Sequence, residues 1–399
     1  MSAALPGGRP PVVLQVLPAL SVGGAELDCL DIATALSASG YTSLVTSAGG
    51  PMSVDLERRY GARHIQLPLL SRSPWAIYRN IDRLCEVIRQ EKVDILHVRS
   101  RAVAWSGYFA ARRMGVPLVT TFHAAYNFSA TPGLKQLKKG YNSVMASGDR
   151  VIAISDFIRR HIMAEYKIGW SQLRVIPRGI DVSVFDPDRV SAARMVALAE
   201  NWRLPDDLPI ILLPGRLTRL KGHMLLLQAL ALLKRPVLCL LVGSDAGRAA
   251  YRQETEALAR RLGVDNRLHI VGNCRDMAAA YKLADVVVSA STDPEGFGRV
   301  TAEALAMGRP VVAPNHGAAP EQIISGQTGW LFAPGNAADL ADKLELALSL
   351  DADSRARLRD RAMAVVREKF TVQQMTGSTL ALYRELLAEA AEKRNAGVR

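Results

Sequence analysis

The sequence has little from which a disulfide framework, a metal centre or a membrane span could be built. Its four cysteines are far apart and form no Cys-x-x-Cys pair, which predicts buried or incidental thiols: Cys29, Cys85, Cys239 and Cys274. The longest uncharged apolar stretch, 224–233, is far short of the roughly 20 residues that span a bilayer. The N-terminal MSAALPGGRPP lacks the charged start and apolar core of an export signal. We therefore expect a soluble, cytoplasmic chain, with attachment to a membrane surface left open.

Aromatic residues are few, and acidic residues are outnumbered by basic ones. Lysine and arginine number 50 against 38 acids, a net charge of +12, and two thirds of the excess lies in residues 1–187. Such a balance favours anionic partners such as nucleotides, nucleic acid or an acidic membrane face. Aromatics make up only 6% of the residues, and no helix-turn-helix or single-strand stacking platform is recognisable. Charge alone is therefore weak support for a nucleic-acid-binding protein.

Short apolar runs alternate with segments of helical period along the whole chain. Near-continuous apolar runs predict strands that are buried on both faces, hence parallel sheets covered by helices. The predicted strands are 11–17, 42–47, 63–69, 94–98, 117–123, 150–154, 173–177, 209–214, 237–242, 267–271, 285–289, 310–313 and 329–333. Three helices are expected at the end of the chain, over 336–350, 352–369 and 371–392.

The strand pattern runs twice, which predicts two doubly wound, Rossmann-like α/β domains that face each other across a cleft. The break is expected near Asp186-Pro187-Asp188, because Asp-Pro ends regular structure. The predicted domains are 1–187 and 188–375, with a helix and tail over 376–399 packing back on the first domain. Ligands of such sheets bind beyond the carboxyl ends of the strands, so the loops there are searched for chemistry.

The loop after the first strand contains a glycine pair, Gly23-Gly24, just before a predicted helix. Glycines allow a backbone to approach a ligand closely, and the start of a helix attracts anions. The G-x-G-x-x-G spacing of a dinucleotide-binding fold is missing, which argues against a nicotinamide cofactor. An ordinary turn is the competing interpretation.

The first strand of the second half is followed by Gly215-Arg216-Leu217-Thr218-Arg219-Leu220-Lys221-Gly222. Two cations, Arg216 and Lys221, together with a helix that begins near His223, suit a diphosphate. The lysine has no G-x-x-x-x-G-K-[ST] setting, so this is not a P-loop. A solvated basic turn is the alternative.

Histidine and arginine residues follow two strands of the first half. His123 ends one strand and can hydrogen-bond a hydroxyl or take a proton, although a structural role is equally open. After another strand, His97, Arg99 and Arg101 alternate and would share one direction if the strand continued to residue 101. They form either an anionic acceptor pocket or a solvated rim.

The segment TDPEGFGRVTAEALAMG, 292–308, has Glu295 and Glu303 around the turn Gly296-Phe297-Gly298. Acids at a strand end can bind metal, act in acid/base chemistry or accept hydrogen bonds from hydroxyls. Both acids can border one ligand without touching each other. The competing interpretations are that Glu295 caps the following helix and that Glu303 is an exposed helical acid.

These motifs together resemble glycosyltransferase family 4, the retaining GT-B-fold enzymes that use nucleotide sugars. The likeness covers nearly the whole chain and lies in an E-x7-E signature, here Glu295 and Glu303, and a G-R-L-x-x-x-K-G motif over 215–222. It implies a donor site on the second domain, a sugar moved to a hydroxyl acceptor, and departure and attack on one face of the sugar.

The resemblance also implies roles for individual residues. Arg216 and Lys221 would hold the diphosphate and offset its charge as it leaves, as catalytic residues together with His123 and Glu295. Glu303 would accept from the ribose hydroxyls and Glu295 from the sugar. Further donor contacts are implied at Gly23, Gly24, Phe297 and Gly298, with the base held near 272–275, including Arg275.

Two positions depart from the family pattern. Arg178-Gly179 stands where many relatives have Asn-Gly, and Arg178 is either an anion contact or a structural replacement. The turn 315–321 resembles the family's G-G-x-P-E turn but has Ala318 and Ala319. Glu321 in this turn and Arg99 after the fourth strand are further candidate site residues.

The expected partners are a UDP-, GDP- or ADP-sugar and a glycan or lipid-linked acceptor from lipopolysaccharide, glycolipid or other surface-glycan synthesis, with no nucleic acid. We expect no cofactor and no metal, since Arg216 and Lys221 can replace the charge of a metal ion. Mg²⁺ sites need carboxylate ligands, and the Asp-x-Asp sequence at 351–353 lies between terminal helices, away from the expected site. The segment 133–146, with Lys135, Lys138 and Lys139, is basic and partly apolar, which favours attachment to the inner membrane face. The alternative functions are a GT-B-fold nucleotide-sugar epimerase and a basic nucleic-acid-binding protein.

Overall fold

The computed structural model describes residues 8–21, 23–54, 56–71, 73–126, 132–205 and 207–396, without the side chains of 132–135 and 394–396. Its first sheet contains the strands β1 (Val12–Val16), β2 (Thr42–Ser47), β3 (Arg63–Gln66), β4 (Ile95–Val98), β5 (Leu118–Phe122), β6 (Arg150–Ala153) and β7 (Leu173–Val175). The helices between and after them are α1 (Gly24–Ala38), α2 (Leu56–Tyr60), α3 (Pro74–Gln90), α4 (Arg101–Met114), α5 (Pro132–Asn142) and α6 (Asp156–Glu165).

The second sheet contains β8 (Ile210–Pro214), β9 (Leu238–Val242), β10 (Leu268–Val271), β11 (Val286–Val288), β12 (Val311–Pro314) and β13 (Gly329–Phe332). The helices around it are α7 (Ala192–Trp202), α8 (His223–Leu232), α9 (Ala249–Leu262), α10 (Met277–Leu283), α11 (Arg299–Ala306), α12 (Ala319–Gln322), α13 (Ala337–Leu348) and α14 (Ala352–Lys369). The chain then forms a long helix, α15 (Val372–Ala396).

Both sheets are parallel in every pairing and follow the doubly wound order. The first runs β3-β2-β1-β4-β5-β6-β7 and the second β10-β9-β8-β11-β12-β13. The strands β1, β4 and β8 are buried along their whole length because helices cover both faces. The predicted α/β class with two Rossmann-like domains and a helical C-terminus is confirmed, and every predicted strand is present within about three residues of its expected bounds.

The chain divides into two compact units at other positions than 187 and 375. One unit comprises the residues up to Gly179 and those from Val372 onward, and the other is Ile180–Thr371. The chain passes between them at adjacent points, since Ile180 N donates to Phe370 O at 2.7 Å. The segment after Ile180 packs with the second unit, where Lys282 Nζ donates to Pro187 O at 2.7 Å and Val190 O at 2.8 Å.

The helix α15 packs against the sheet of the first unit. Its Leu382, Tyr383 and Leu386 share one apolar cluster with Val13 of β1 and Ile95 of β4. Polar contacts near the middle of the helix also hold it there: the Tyr383 hydroxyl contacts His97 Nδ1 at 2.6 Å, and Glu385 pairs with Arg150 at 2.7 Å and Arg174 at 2.8 Å. The helix therefore completes the first core although it follows the second in sequence.

The described helices include none with an apolar stretch long enough to cross a membrane. Three cysteines, Cys29, Cys85 and Cys239, are buried and Cys274 is half-buried, all as free thiols.

Candidate functional site

In the second unit, a tight loop carries the predicted cations from β8 to α8. A short 3-10 turn over Arg219–Lys221 leads to Gly222, whose φ of +68° is in the left-handed region. A Cβ atom at Gly222 would lie 1.8 Å from Ala290 O, just beyond β11. Only glycine therefore lets this loop press against the end of β11, and that contact brings Lys221 beside the segment that contains Glu295.

Lys221 and Glu295 form an ion pair at the carboxyl edge of the sheet. Lys221 Nζ donates to Glu295 Oε1 at 2.6 Å, and the Ser291 hydroxyl donates to the same oxygen. Burial raises the pKa of Glu295, but Lys221, Ser291 and His316 together outweigh burial and leave that pKa below its ordinary value. Glu295 is therefore a carboxylate, about one quarter exposed, with a cation already beside it.

Glu295 does not cap the following helix. The residue before α11 is Gly298, which has a φ of +80° and no side-chain capping bond. This contradicts the capping interpretation, and the reason is that Lys221 and Ser291 already occupy the carboxylate. Arg216, the other predicted cation, is exposed in the loop after β8.

Glu303 lies on α11 and is held by different partners. The Tyr281 hydroxyl donates to Glu303 Oε2 at 2.8 Å, and Arg299 Nε donates to Oε1 at 3.2 Å. Its side chain is only 13% exposed, so it is not the exposed helical acid of the competing interpretation. Burial raises the pKa of Glu303 despite Arg299 and Tyr281. The two acids therefore have different hydrogen-bond partners, and their pKa values are shifted in opposite directions.

The Gly-Phe-Gly turn contributes backbone rather than an aromatic side chain to this edge. Phe297 is 2% exposed, and its ring packs edge-to-face on Phe370 with centroids 5.8 Å apart. Gln322 Nε2 donates to Phe297 O at 2.6 Å, which fixes the path of the turn. Any contact of Phe297 or Gly298 with a ligand must therefore be made by the main chain.

Sequence reasoning missed three residues at this edge: Ser291, Tyr281 and His316. His316 follows β12, and its loop is tied to the acid by a hydrogen bond from Ala318 N to Glu295 O at 3.0 Å. Both ring nitrogens of His316 are buried without a hydrogen-bond partner. The available signal was position, because His316 follows the carboxyl end of a buried strand as His123 does.

The other candidates of this unit lie on neighbouring loops and helix starts. Arg275 is exposed in the loop after β10, and Glu321 lies in the first turn of α12. Asp351 caps α14 by accepting from Ser354 N at 2.7 Å. Among the residues that the structure describes, no group of three or more His, Cys, Asp or Glu side chains is arranged to hold a metal ion.

In the first unit, the glycine pair lies at the start of α1. Gly23 precedes the helix and Gly24 is its first residue, with no side-chain cap. A Cβ atom at Gly24 would lie 2.6 Å from Arg178 Nη1. An alanine here would therefore have to displace the Arg178 guanidinium, which lies against the first turn of α1.

Arg178 belongs to a buried cluster of charges that the sequence did not reveal. Asp28 on α1 is 1% exposed and accepts from Arg178 Nε at 2.6 Å. Arg99 Nη2 lies 3.9 Å from the same carboxylate, and Arg99 Nη1 donates to Gln15 Oε1 at 3.2 Å. Arg178 thus makes structural contacts, while its Nη2 reaches His123 Nδ1 at 3.0 Å. Arg99 is 3% exposed, which contradicts the solvated rim.

His123 directly follows β5 and faces this cluster. Burial lowers the pKa of His123 well below its ordinary value, and the charges of Arg178 and Arg99 lower it further. The ring is therefore neutral at physiological pH.

The alternation of His97, Arg99 and Arg101 does not form one pocket. The strand β4 ends at Val98, and Ser100 caps α4 by accepting from Ala102 N at 3.3 Å. His97 is fully buried, with Nε2 on the Thr121 hydroxyl at 2.7 Å and Nδ1 on Tyr383. Arg101 begins α4 and lies 5.0 Å over the Tyr126 ring. The condition for a common direction is not met, because the strand ends at Val98 and does not continue to residue 101.

Comparison with known families matches both units. The profile described as "Glycosyltransferase Family 4" covers residues 22–184, and the one described as "Glycosyl transferases group 1" covers 197–365. A D-inositol 3-phosphate glycosyltransferase of Xylanimonas cellulosilytica is 31% identical over 94% of this chain and 93% of its own length. An enzyme of the same name from Mycobacterium tuberculosis is 31% identical over 78% of this chain and 67% of its own.

Solved structures show the same architecture. A glycosyltransferase from Rickettsia africae superposes with a TM-score of 0.86 at 35% identity, over 95% of this chain and 99% of its own. Anabaena HepE, in complex with UDP and glucose, superposes with a TM-score of 0.81 at 23% identity, over 94% of this chain and all of its own. The latter likeness concerns the fold alone.

Proposed function

The chain belongs to glycosyltransferase family 4 and is a glycosyltransferase of the GT-B type; on that premise we propose that it moves a hexose-type sugar from a nucleoside-diphosphate sugar to a hydroxyl acceptor with retention of configuration. One observation carries this proposal: Lys221, in the basic loop, is joined to Glu295 at the carboxyl edge of the second sheet. Ligands of open α/β sheets bind at such edges.

The basic loop supports a site for the diphosphate. Arg216 is exposed, and Lys221 lies one residue before the glycine that opens α8. A diphosphate here would draw Lys221 from Glu295, because phosphate oxygens compete for the same ammonium. Glu295, ionised and released in part from its cation, would then accept hydrogen bonds from the sugar. Lys221 would offset the charge that develops on the leaving diphosphate.

Glu303 supports a site for the ribose. Its two oxygens are oriented by Tyr281 and Arg299, so the carboxyl group is fixed before a ligand arrives. A fixed acceptor discriminates well for hydroxyl groups, because an analogue without the hydroxyl leaves it unpaired. Base contacts from 272–275, with Arg275, and a contact from Glu321 are part of the same proposal, as are main-chain contacts from Phe297 and Gly298.

For the first unit we propose that Gly23 and Gly24 contact the donor, with Gly24 approaching the phosphate, and that His123 contacts the sugar. We favour retention by front-face departure and attack over double displacement, because the role proposed for Glu295 is to accept hydrogen bonds from the sugar hydroxyls rather than to attack the anomeric carbon. Trapping a glycosyl adduct on Glu295 would contradict this mechanism. We propose that transfer needs no metal, with Arg216 and Lys221 supplying the positive charge.

The acceptor is proposed to be an anionic or lipid-linked glycan precursor, of the kind used for lipopolysaccharide, glycolipid or other surface glycans. The positive excess in residues 1–187 supports an anionic acceptor. The relatives named D-inositol 3-phosphate glycosyltransferase suggest a phosphorylated cyclitol as the alternative, soluble acceptor. An acceptor panel should therefore pair D-inositol 3-phosphate with lipid-linked glycans, and product formation with neither class would contradict this part.

Attachment to an anionic membrane is supported by exposed apolar side chains on α3, α4 and α5. Trp75 is 64% exposed, Tyr78 60%, Phe109 45% and Leu137 73%; these four residues are termed the aromatic face. The helices that carry them are joined, since the Ser106 hydroxyl donates to Ile77 O at 3.1 Å and Trp105 Nε1 donates to Tyr141 O at 3.0 Å. Aromatic side chains beside basic ones suit the boundary of an anionic bilayer on the cytoplasmic side.

Basic residues accompany the aromatic face. Arg79 lies 5.1 Å over the Trp75 ring, and Lys138 is exposed on α5. Lys139 pairs with Glu165 at 3.2 Å, and the side chain of Lys135 lies outside the described residues. Replacing Trp75 and Leu137 with serine and the three lysines with glutamate should abolish salt-sensitive sedimentation with anionic liposomes. Trp170→Ser, at a tryptophan 68% exposed elsewhere, is the control, and equal binding by both variants would contradict attachment through this face.

The donor is identified by a panel of UDP-, GDP- and ADP-sugars scored by slow hydrolysis without acceptor. One nucleotide should be preferred, and replacing both Arg216 and Lys221 with alanine should remove hydrolysis and binding of that nucleoside diphosphate. Binding that survives the double replacement would contradict the assigned diphosphate site.

A further inference from the structure

His123 and Arg178 meet in an arrangement that fixes where the imidazole proton lies. Arg178 Nη2 is 3.0 Å from His123 Nδ1. A guanidinium has only donors, so Nδ1 must be the acceptor and has no proton. The competing partner of Nδ1 is Asp28 Oδ2, which at 3.7 Å is too far for a hydrogen bond.

We propose that Arg178 is a positioning residue that holds His123 as its neutral Nε2–H tautomer, so that His123 donates a hydrogen bond to a substrate oxygen and takes no proton during transfer. This inference rests on the proposed function for the nature of the substrate oxygen, a sugar or acceptor hydroxyl. The tautomer itself follows from the contact between the two side chains.

Arg178 is held rigidly enough for this task. Asp28 accepts from its Nε at 2.6 Å, and Gly24 leaves the space against which Nη1 lies. The guanidinium side chain is only 11% exposed. A planar guanidinium bound on one side by a carboxylate presents its remaining donors in a fixed direction. Arg178 therefore cannot swing away from Nδ1 without losing the bond to Asp28.

The other nitrogen of His123, Nε2, is available to donate a hydrogen bond to a ligand. Nε2 is buried and has no hydrogen-bond partner in the described structure. A buried donor without a partner is unfavourable, and a substrate oxygen that accepts from it on binding would remove that penalty. Since Nδ1 is occupied by Arg178 and Nε2 has the proton, neither nitrogen offers a lone pair to a hydroxyl. Acid/base chemistry at His123 is thus excluded by the same contacts that make it a donor.

The charges around His123 support the neutral form. Asp28 faces it from α1, Arg99 and His97 from the end of β4, and Arg178 from beyond β7. Two fixed cations against one carboxylate, together with burial, keep the pKa of His123 well below its ordinary value. In an Arg178→Met variant one of these cations is lost and Asp28 lacks its nearest partner, so protonation of His123 becomes easier.

The tautomer is measured directly by ¹⁵N NMR on protein labelled at histidine, without substrate. The signal pair that disappears in His123→Gln is assigned to His123. We expect a pyrrole-type Nε2 and a pyridine-type Nδ1 that do not titrate between pH 6 and 8. In Arg178→Met the pair should titrate or move toward the other tautomer, and Arg178→Lys should restore part of the wild-type pattern. A pyrrole-type Nδ1 in the wild-type protein would overturn the inference whether or not the variants fold.

Kinetics separate donation from proton transfer. The amide nitrogen of glutamine can replace Nε2–H, so His123→Gln should keep kcat within about tenfold, the size of one neutral hydrogen bond, whereas His123→Ala should lose more. A general base would lose about 10²–10⁴ in both variants. Equal large losses would overturn the donor role. If no nucleotide sugar is turned over while the NMR pattern holds, the proposed function fails and the tautomer stands.

Discussion

Replacing Glu295 and Glu303 one at a time with glutamine tests the division of labour between the two acids. Glu295 is ionised, about one quarter exposed and paired with Lys221 at 2.6 Å. A hydrogen bond to a charged group contributes about 1.5–3 kcal/mol against about 0.5–1.5 for a neutral one. The difference of about 1–1.5 kcal/mol corresponds to a loss of roughly fivefold to thirteenfold in kcat if Glu295 holds the sugar in the transition state. We expect the KM for donor to change little.

Glu303→Gln should act on the other parameter. Burial already raises the pKa of Glu303, and the Tyr281 hydroxyl can donate to the glutamine oxygen as it does to the carboxylate. The amide nitrogen of the glutamine would face the donor Arg299 Nε, so the free energy of unfolding should fall by about 1–3 kcal/mol while turnover is kept. A weaker contact with the ribose, by about 1.4 kcal/mol, would raise the KM about tenfold.

The assay is the initial rate of nucleoside diphosphate release over a range of donor concentrations, with thermal unfolding as the folding check. The control is Glu254→Gln, which removes the pair with Arg219 on the exposed rim of the same loop. Such surface pairs contribute about 0–1 kcal/mol, so both parameters should stay within about twofold. Equal effects of Glu295→Gln and Glu303→Gln on kcat and KM would refute the reasoning, as would a control that behaves like Glu295→Gln.

Three further results are expected. Gly24→Ala should lower the free energy of unfolding by roughly 1–3 kcal/mol because its Cβ would lie 2.6 Å from Arg178, whereas Gly377→Ala, with open space around it, should not; equal effects would contradict the account of Gly24. His97 and His223 are fully buried, and burial lowers their pKa values, that of His223 to about 4. Because both stay neutral in the folded chain but gain a proton in the unfolded one, the free energy of unfolding is highest above about pH 6.5 and falls as the pH drops below it. Between pH 7.5 and 5.5 urea unfolding should report a loss of about 3 kcal/mol from the pair, and an unchanged value would contradict their neutrality. Added EDTA should leave the transfer rate unchanged, and restoration of a lost rate by Mg²⁺ would contradict metal-independent transfer.

The strands and the class of fold could be predicted from the sequence because a buried parallel strand is apolar along its length. The apolar runs at 209–214 and 237–242 predict buried strands, and β8 and β9 are found there. The end of β4 at residue 98 agrees with the predicted strand 94–98, but the surroundings of His97 could not be predicted, because a polar side chain in a strand gives no sign of its buried partners. The boundary at Gly179 was also hidden, since the link between Ile180 and Phe370 joins positions far apart in sequence.

The candidate site could be predicted in part for the same reason. Glycine spacing and strand ends pointed to Lys221 and Glu295, but their ion pair depends on Gly222 packing against Ala290. Asp28 gave no signal, because an acid on a helix is usually solvated and only the fold brings Arg178 to it. Local patterns thus locate the loops, whereas long-range pairs decide which side chains meet.

The central claim is tested most directly by the anomeric configuration of a product. The purified chain should be incubated with each nucleotide sugar and an acceptor panel in EDTA, and the new linkage examined by ¹H NMR. We predict that one nucleotide sugar is consumed and that its anomeric configuration is kept in the product. Inversion, or failure to consume or bind any nucleotide sugar, would contradict the account.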